Sequence, residues 1–88
     1  MSGSDPHTDA ALGRAVAATV DARGMACPLP ILKAKKALSQ LESGQILSVS
    51  TMDRNAVRDF QAFCTQSLNV LLEQVQTDTV CIHFIARR

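Results

Sequence analysis

The fold this 88-residue sequence predicts is a two-layer α/β (α+β) sandwich, a four-stranded mixed sheet with two helices on one face. Three observations carry the prediction. Short strand-like runs occupy 16–21, 46–51, 70–76 and 80–86. Between the first three runs lie two segments whose apolar residues recur at helical spacing. The order is therefore β-α-β-α-β-β, and strands with one apolar face need cover on that face alone. The right-handed crossover rule puts the first helix on that side too.

The elements follow in chain order. Residues 1–15, rich in Ser, Gly, Asp, Thr and Ala, are expected to form a mobile tail, and residues 16–88 a single domain. From Val16 to Asp21, Val16, Ala18 and Val20 alternate with Ala17, Thr19 and Asp21, which predicts a half-buried strand. The loop Arg23-Gly24-Met25-Ala26 leads to Cys27. A helix is expected from Pro28 to about Leu41, burying Ile31, Ala34, Leu38 and Leu41 with Ala37 at the edge. Lys33 and Lys36 lie opposite that arc and Lys35 flanks it. Ser43-Gly44 supplies the stop. Leu47 and Val49 alternate with Ser48 and Ser50 in a second one-sided strand, Ile46 to Thr51. Asp53 is the expected N-cap of a second helix running to about Gln66. Its buried face is Val57, Phe60 and Cys64, with Ala56 and Phe63 alongside. Val70–Gln76 and Val80–Ala86 read as two strands around a turn at Thr77-Asp78. In the last strand, Val80, Ile82 and Phe84 are assigned to the core face, and Cys81, His83 and Ile85 to an open sheet face.

Composition narrows the function. The chain is 47% hydrophobic and 19% charged, with no Trp or Tyr and 3 Phe, so its core is mostly aliphatic. A net charge of +1 and the lack of Tyr and Trp stacking platforms speak against stable nucleic-acid binding. No apolar run approaches membrane-spanning length. Three cysteines, an odd number with no C-x-x-C pair, point to free thiols, a reducing compartment and a cytoplasmic setting. His7 and His83 lack spaced partners, so neither a metal nor a cofactor is expected.

Chemistry converges on Cys27. It follows a Gly-containing loop and precedes Pro28, and proline is favoured at the first helical position. On that reading Cys27 is the N-cap, facing unpaired N–H groups and the positive end of the helix dipole, which lowers a thiol pKa. Pro28 and Pro30, both tolerated in a first turn, make the presentation of Cys27 rigid. Cys64 belongs to the core and Cys81 is a semi-exposed packing residue. Leu29 falls off the buried arc beside the thiol. With Arg23 and Lys33, it is the expected docking surface for a partner. A regulatory binding module is one alternative, and a redox sensor with Cys81 as resolving thiol is the other. The sensor is disfavoured because no second cysteine lies nearby in sequence.

Gly24-x-x-Cys27-Pro28-x-Pro30, then an amphipathic helix, Gly44 and a strand ending near Asp53, resembles the TusA/SirA-like (YedF-type) sulfur-carrier family. The stretch 53–60 with Phe63-Cys64 is similar to that family's second helix, and the likeness spans about Val20 to Arg88. The resemblance implies a sandwich like the C-terminal domain of translation initiation factor three. It implies that Cys27 accepts sulfane sulfur as a persulfide, from a cysteine desulfurase or another sulfurtransferase, and relays it to an acceptor protein. Outlets in the family include tRNA thiolation, molybdenum cofactor work and sulfur-compound metabolism. Members serving tRNA thiolation typically carry an acidic residue where this chain has Leu29, and Pro where it has Arg54.

Overall fold

The computed structural model describes residues 15–88, so the expected tail falls almost wholly outside the described residues. The elements are β1 (Ala18–Asp21), α1 (Leu29–Ser39), β2 (Ile46–Thr51), α2 (Ala56–Ser67), β3 (Val70–Thr77) and β4 (Val80–Ala86). The sheet order is β1-β2-β4-β3. β1 runs parallel to β2, with Val20 opposite Val49, while β4 pairs antiparallel with both β2 and β3. This is the mixed four-stranded sheet the element order predicts.

Both helices cover one face. Ala34 and Leu38 of α1 and Ala56, Phe60 and Cys64 of α2 close over Leu47, Val49 and Ile85 in a single core. Ile31, Ala37 and Leu41 pack at its margin, as their helical spacing predicts. Arg87 ties the layers together, its Nε donating to the Leu38 carbonyl at the end of α1 at 2.9 Å. Gly44, at φ +87°, makes the left-handed turn into β2, a conformation that favours glycine.

The phase of β4 corrects the expectation. Cys81, His83 and Ile85 face the helices, whereas Phe84 pairs with Ser48 on the far face. That far face is not open along its length, because Ile46, Ser48 and Phe84 are all buried. With both faces covered, alternation along β4 carries little contrast between Val-Ile-Phe and Cys-His-Ile. The hairpin turn also sits one residue later than expected, at Asp78 and Thr79, since Thr77 pairs with Val80. Asp78 takes φ +52°, which suits the first position of a tight two-residue hairpin turn.

His83 anchors a buried polar chain beneath α2. Its ring stacks on Phe60, with centroids 4.4 Å apart. Gln74 Nε2 donates to His83 Nδ1 and to the Val57 carbonyl, both at 3.0 Å, and Gln61 Nε2 donates to Gln74 Oε1 at 3.1 Å. The tautomer that satisfies every partner carries its proton on Nε2 and donates to Thr51 Oγ1 at 2.8 Å, whose hydroxyl reaches the Cys81 carbonyl. Burial holds the imidazole neutral, with its pKa pushed down to about 4. His83 is therefore engaged at both nitrogens and is no base for Cys27.

Candidate functional site

Cys27 stands exposed at the head of α1, but it is not the cap. The first helical hydrogen bond, from the Leu32 N–H, is accepted by the Pro28 carbonyl at 3.1 Å, so Pro28 is the N-cap and Leu29 the first helical residue. The Leu29 N–H turns back to the Ala26 carbonyl at 3.0 Å, closing a tight turn through Cys27. Pro28 and Pro30 carry no N–H at all. The first turn of α1 consequently has few free donors to offer an anion, and the expected lowering of the thiol pKa by the helix terminus does not occur.

Two carboxylates dominate instead. The Asp53 side chain, two residues past the end of β2, reaches across to Cys27, its Oδ2 accepting the Cys27 N–H at 3.1 Å. Its other oxygen accepts the Asn55 N–H at 2.9 Å, which sets the turn into α2. Asn55 itself occupies the cap of α2 without a side-chain cap bond, so Asp53 organises that helix from two residues before the cap. The N–H groups of Asn55 and Cys27 lower the Asp53 pKa. Asp59 lies half-buried in the first turn of α2 and lines the same narrow cleft as Cys27, together with Pro30, Ile31, Asp53, Ala56 and Phe60. The thiol's hydrogen bond to the Asp59 carboxylate raises the Cys27 pKa; desolvation and the charges of Asp59 and Asp53 add to it. Resting Cys27 is a thiol held against carboxylates.

The remaining expected site residues are placed as follows. Gly24, at φ +82°, makes the loop turn behind the thiol, and it borders a second depression with Met25, Ala26, Met52 and Asp53. Leu29 is half exposed, as its position off the buried arc predicts, and Leu32 and Met52 are exposed large apolar side chains as well. Lys33 is exposed on α1. Arg23 is engaged: its Nε and Nη2 form a bidentate pair with Asp21 at 2.8 and 2.9 Å, which lowers the Asp21 pKa to about 2. Among the described residues that is the one ion pair, so Asp59 is not held by a cation. Cys64 and Cys81 are buried, the first pushed up to about 11 by burial and the second raised by the same cause. Neither offers a thiolate, and Cys81 is a core residue rather than a semi-exposed one. Asp59 is the site residue that sequence reasoning missed. Its spacing of three from Ala56 and its neighbour Phe60 place it at the edge of the buried face of α2.

A small mixed-sheet sandwich presenting one accessible thiol at a helix head is the class of protein this geometry defines. The family model described as sulfurtransferase TusA matches residues 18–87. The chain belongs to the TusA family of sulfur carriers. It is 50% identical over 62 residues to a protein of Neisseria meningitidis serogroup A, provisionally named a sulfur carrier protein, covering 70% of this chain and 84% of that one. It is 44% identical over 69 residues to the sulfur carrier protein TusA of Allochromatium vinosum, covering 78% and 90%. The crystal structure of a SirA-like protein from Desulfitobacterium hafniense superposes with a TM-score of 0.71 at 30% identity, covering 78% of this chain and 95% of that chain. Family membership implies exchange with sulfur-donor and sulfur-acceptor proteins. No helix among the described residues is long and apolar enough to cross a membrane.

Proposed function

We propose that this protein carries sulfane sulfur as a persulfide on Cys27, taking it from a cysteine desulfurase or another sulfurtransferase and passing it to an acceptor protein. One observation supports this above the others. Of three free thiols, Cys27 alone is exposed, and it is presented on a turn that Asp53, Pro28 and Pro30 hold in place. A partner's persulfide can approach it there, while Cys64 and Cys81 lie beneath side chains. The exposed apolar residues Leu29 and Met52 flank the site and give a partner something to cover during transfer. Leu29 and Arg54, which replace an acidic residue and a proline of tRNA-thiolation relatives, favour an acceptor in other sulfur metabolism.

Intact-mass measurement after incubation with a desulfurase and cysteine tests the reading. The wild-type chain is expected to gain about 32 Da, and Cys27→Ser, which keeps a small polar side chain at an exposed position, to gain nothing while retaining its fold. A gain of about 16 Da on the wild type marks a sulfenic acid and a redox role instead.

A further inference from the structure

The chemistry of a sulfur acceptor is at odds with the surroundings of Cys27. Nucleophilic attack needs a thiolate, yet the thiol shares its cleft with Asp53 and Asp59, and no lysine, arginine or histidine lines that cleft. The two carboxylates have different duties. Asp53 is committed to two backbone N–H groups, at Cys27 and Asn55. Asp59 has no cation partner among the described residues and lies one helical turn along, at the thiol itself. Its neighbours in the cleft are the apolar Pro30, Ile31, Ala56 and Phe60.

We propose that Asp59 is the proton acceptor for Cys27, taking the thiol proton as sulfur is loaded and supplying one to the departing Cys27 thiolate as sulfur is discharged. The inference rests on the persulfide reading of Cys27. During loading the Cys27 S–H bond breaks, its proton passes to the Asp59 carboxylate, and Sγ bonds to the outer sulfur of a protein persulfide. The donor's S–S bond breaks with its electron pair on the donor thiolate, which then takes the proton from Asp59. One thiol and one persulfide enter, and one persulfide and one thiol leave, with no net oxidation. A docked partner covering Leu29 and Met52 excludes water from the exchange, so the proton needs an acceptor built into the site. On discharge Asp59 takes the proton of the acceptor's attacking thiol, whose sulfur bonds to the outer sulfur of the Cys27 persulfide, and gives it to the departing Cys27 thiolate. The carboxylate also disfavours that thiolate by charge, which keeps the unloaded carrier protonated between encounters.

Two measurements on Asp59→Asn, with the fold checked by circular dichroism, separate this role from simple electrostatics. Alkylation by iodoacetamide proceeds through the thiolate in open solvent, so removing the carboxylate is expected to lower the pH midpoint of alkylation. Sulfur loading from a desulfurase persulfide at neutral pH is expected to slow by about tenfold or more, since general bases contribute about 10²–10⁴-fold. Asp59→Glu, which restores a carboxylate, is expected to recover part of the loading rate. Faster alkylation together with faster loading in Asp59→Asn overturns the proposal and leaves Asp59 as a charge that merely suppresses the thiolate. An unchanged alkylation midpoint also overturns it, because the carboxylate then does not act on the thiol. A wild-type chain that takes up no sulfur overturns the carrier reading itself, an outcome told apart because the alkylation profile is measured without any sulfur donor.

Discussion

The Cys27 cleft and the His83 chain both border one ring, Phe60, and both hold a titratable group in its neutral form. They do so by opposite means. His83 is fully buried, hydrogen-bonded at both ring nitrogens and stacked on Phe60, so its charged form is excluded by lack of solvent. Cys27 is exposed, and its charged form is opposed by two carboxylates. A group kept neutral by burial stays locked as long as the fold persists. One kept neutral by neighbouring charge is released as soon as a neighbour takes the proton. The contrast supports the proposal of chemistry at Cys27 and gives His83 to the fold.

Phe60 joins the two regions, and removing it breaks the comparison most severely. Phe60→Ala is expected to cost about 3–5 kcal/mol of stability, a typical loss for deleting a buried aromatic ring, read from the midpoint of urea unfolding. A loss under about 1 kcal/mol would show that the two sites do not share this support.

Acid should act on the His83 side. The folded pKa lies at about 4, below the ordinary value of 6.5, so the unfolded chain binds a proton more readily than the folded one. The contribution of neutral His83 is complete above about pH 6.5 and declines as pH falls toward 4. At one pKa unit per about 1.4 kcal/mol, a loss of about 2–3 kcal/mol is expected across that window. Denaturant midpoints between pH 7 and 4 should fall for the wild type and stay flatter for His83→Gln. Equal slopes in the two proteins would assign the acid sensitivity to other groups.

Leu29 sharpens the comparison at its small end. Half exposed at the rim of the thiol, it is expected to tolerate Leu29→Glu with less than about 0.5 kcal/mol change in stability and no change in Cys27 alkylation. Transfer to or from a partner protein should weaken by roughly one order of magnitude, since covering a leucine contributes about 1.5–3 kcal/mol. A lowered melting temperature with unaltered transfer kinetics would mean that Leu29 packs locally against its own loop.

The element order, the buried arc of α1 and the placement of Phe60 and Cys64 in the core were legible because apolar spacing reports burial directly. Helix α2, however, is turned so that Ala56 is in the core and Val57, expected there, is only half-buried. The phase of β4 was not, since Phe84 and Ile85, adjacent in the chain, are both fully buried and leave period two without contrast. The cap of α1 lies at Pro28, one residue beyond the expected Cys27, because Pro28 and Pro30 are each tolerated at several first-turn positions and do not fix the helix start. Asp53 was legible as a residue that starts a helix, yet its second oxygen serves an N–H 26 residues earlier. Asp59 meets Cys27 only when α2 packs beside α1, a juxtaposition that no local pattern encodes.

The central claim, that Cys27 and neither of the buried thiols carries the sulfur, is tested most directly by peptide-level mass measurement. The wild-type chain is incubated with a desulfurase and cysteine, alkylated, digested, and each of the three cysteine peptides weighed. The account predicts an added mass of about 32 Da on the Cys27 peptide alone, with Cys64 and Cys81 unmodified until the protein is unfolded. Added sulfur on Cys64 or Cys81 in the folded protein, with Cys27 unmodified, would contradict it.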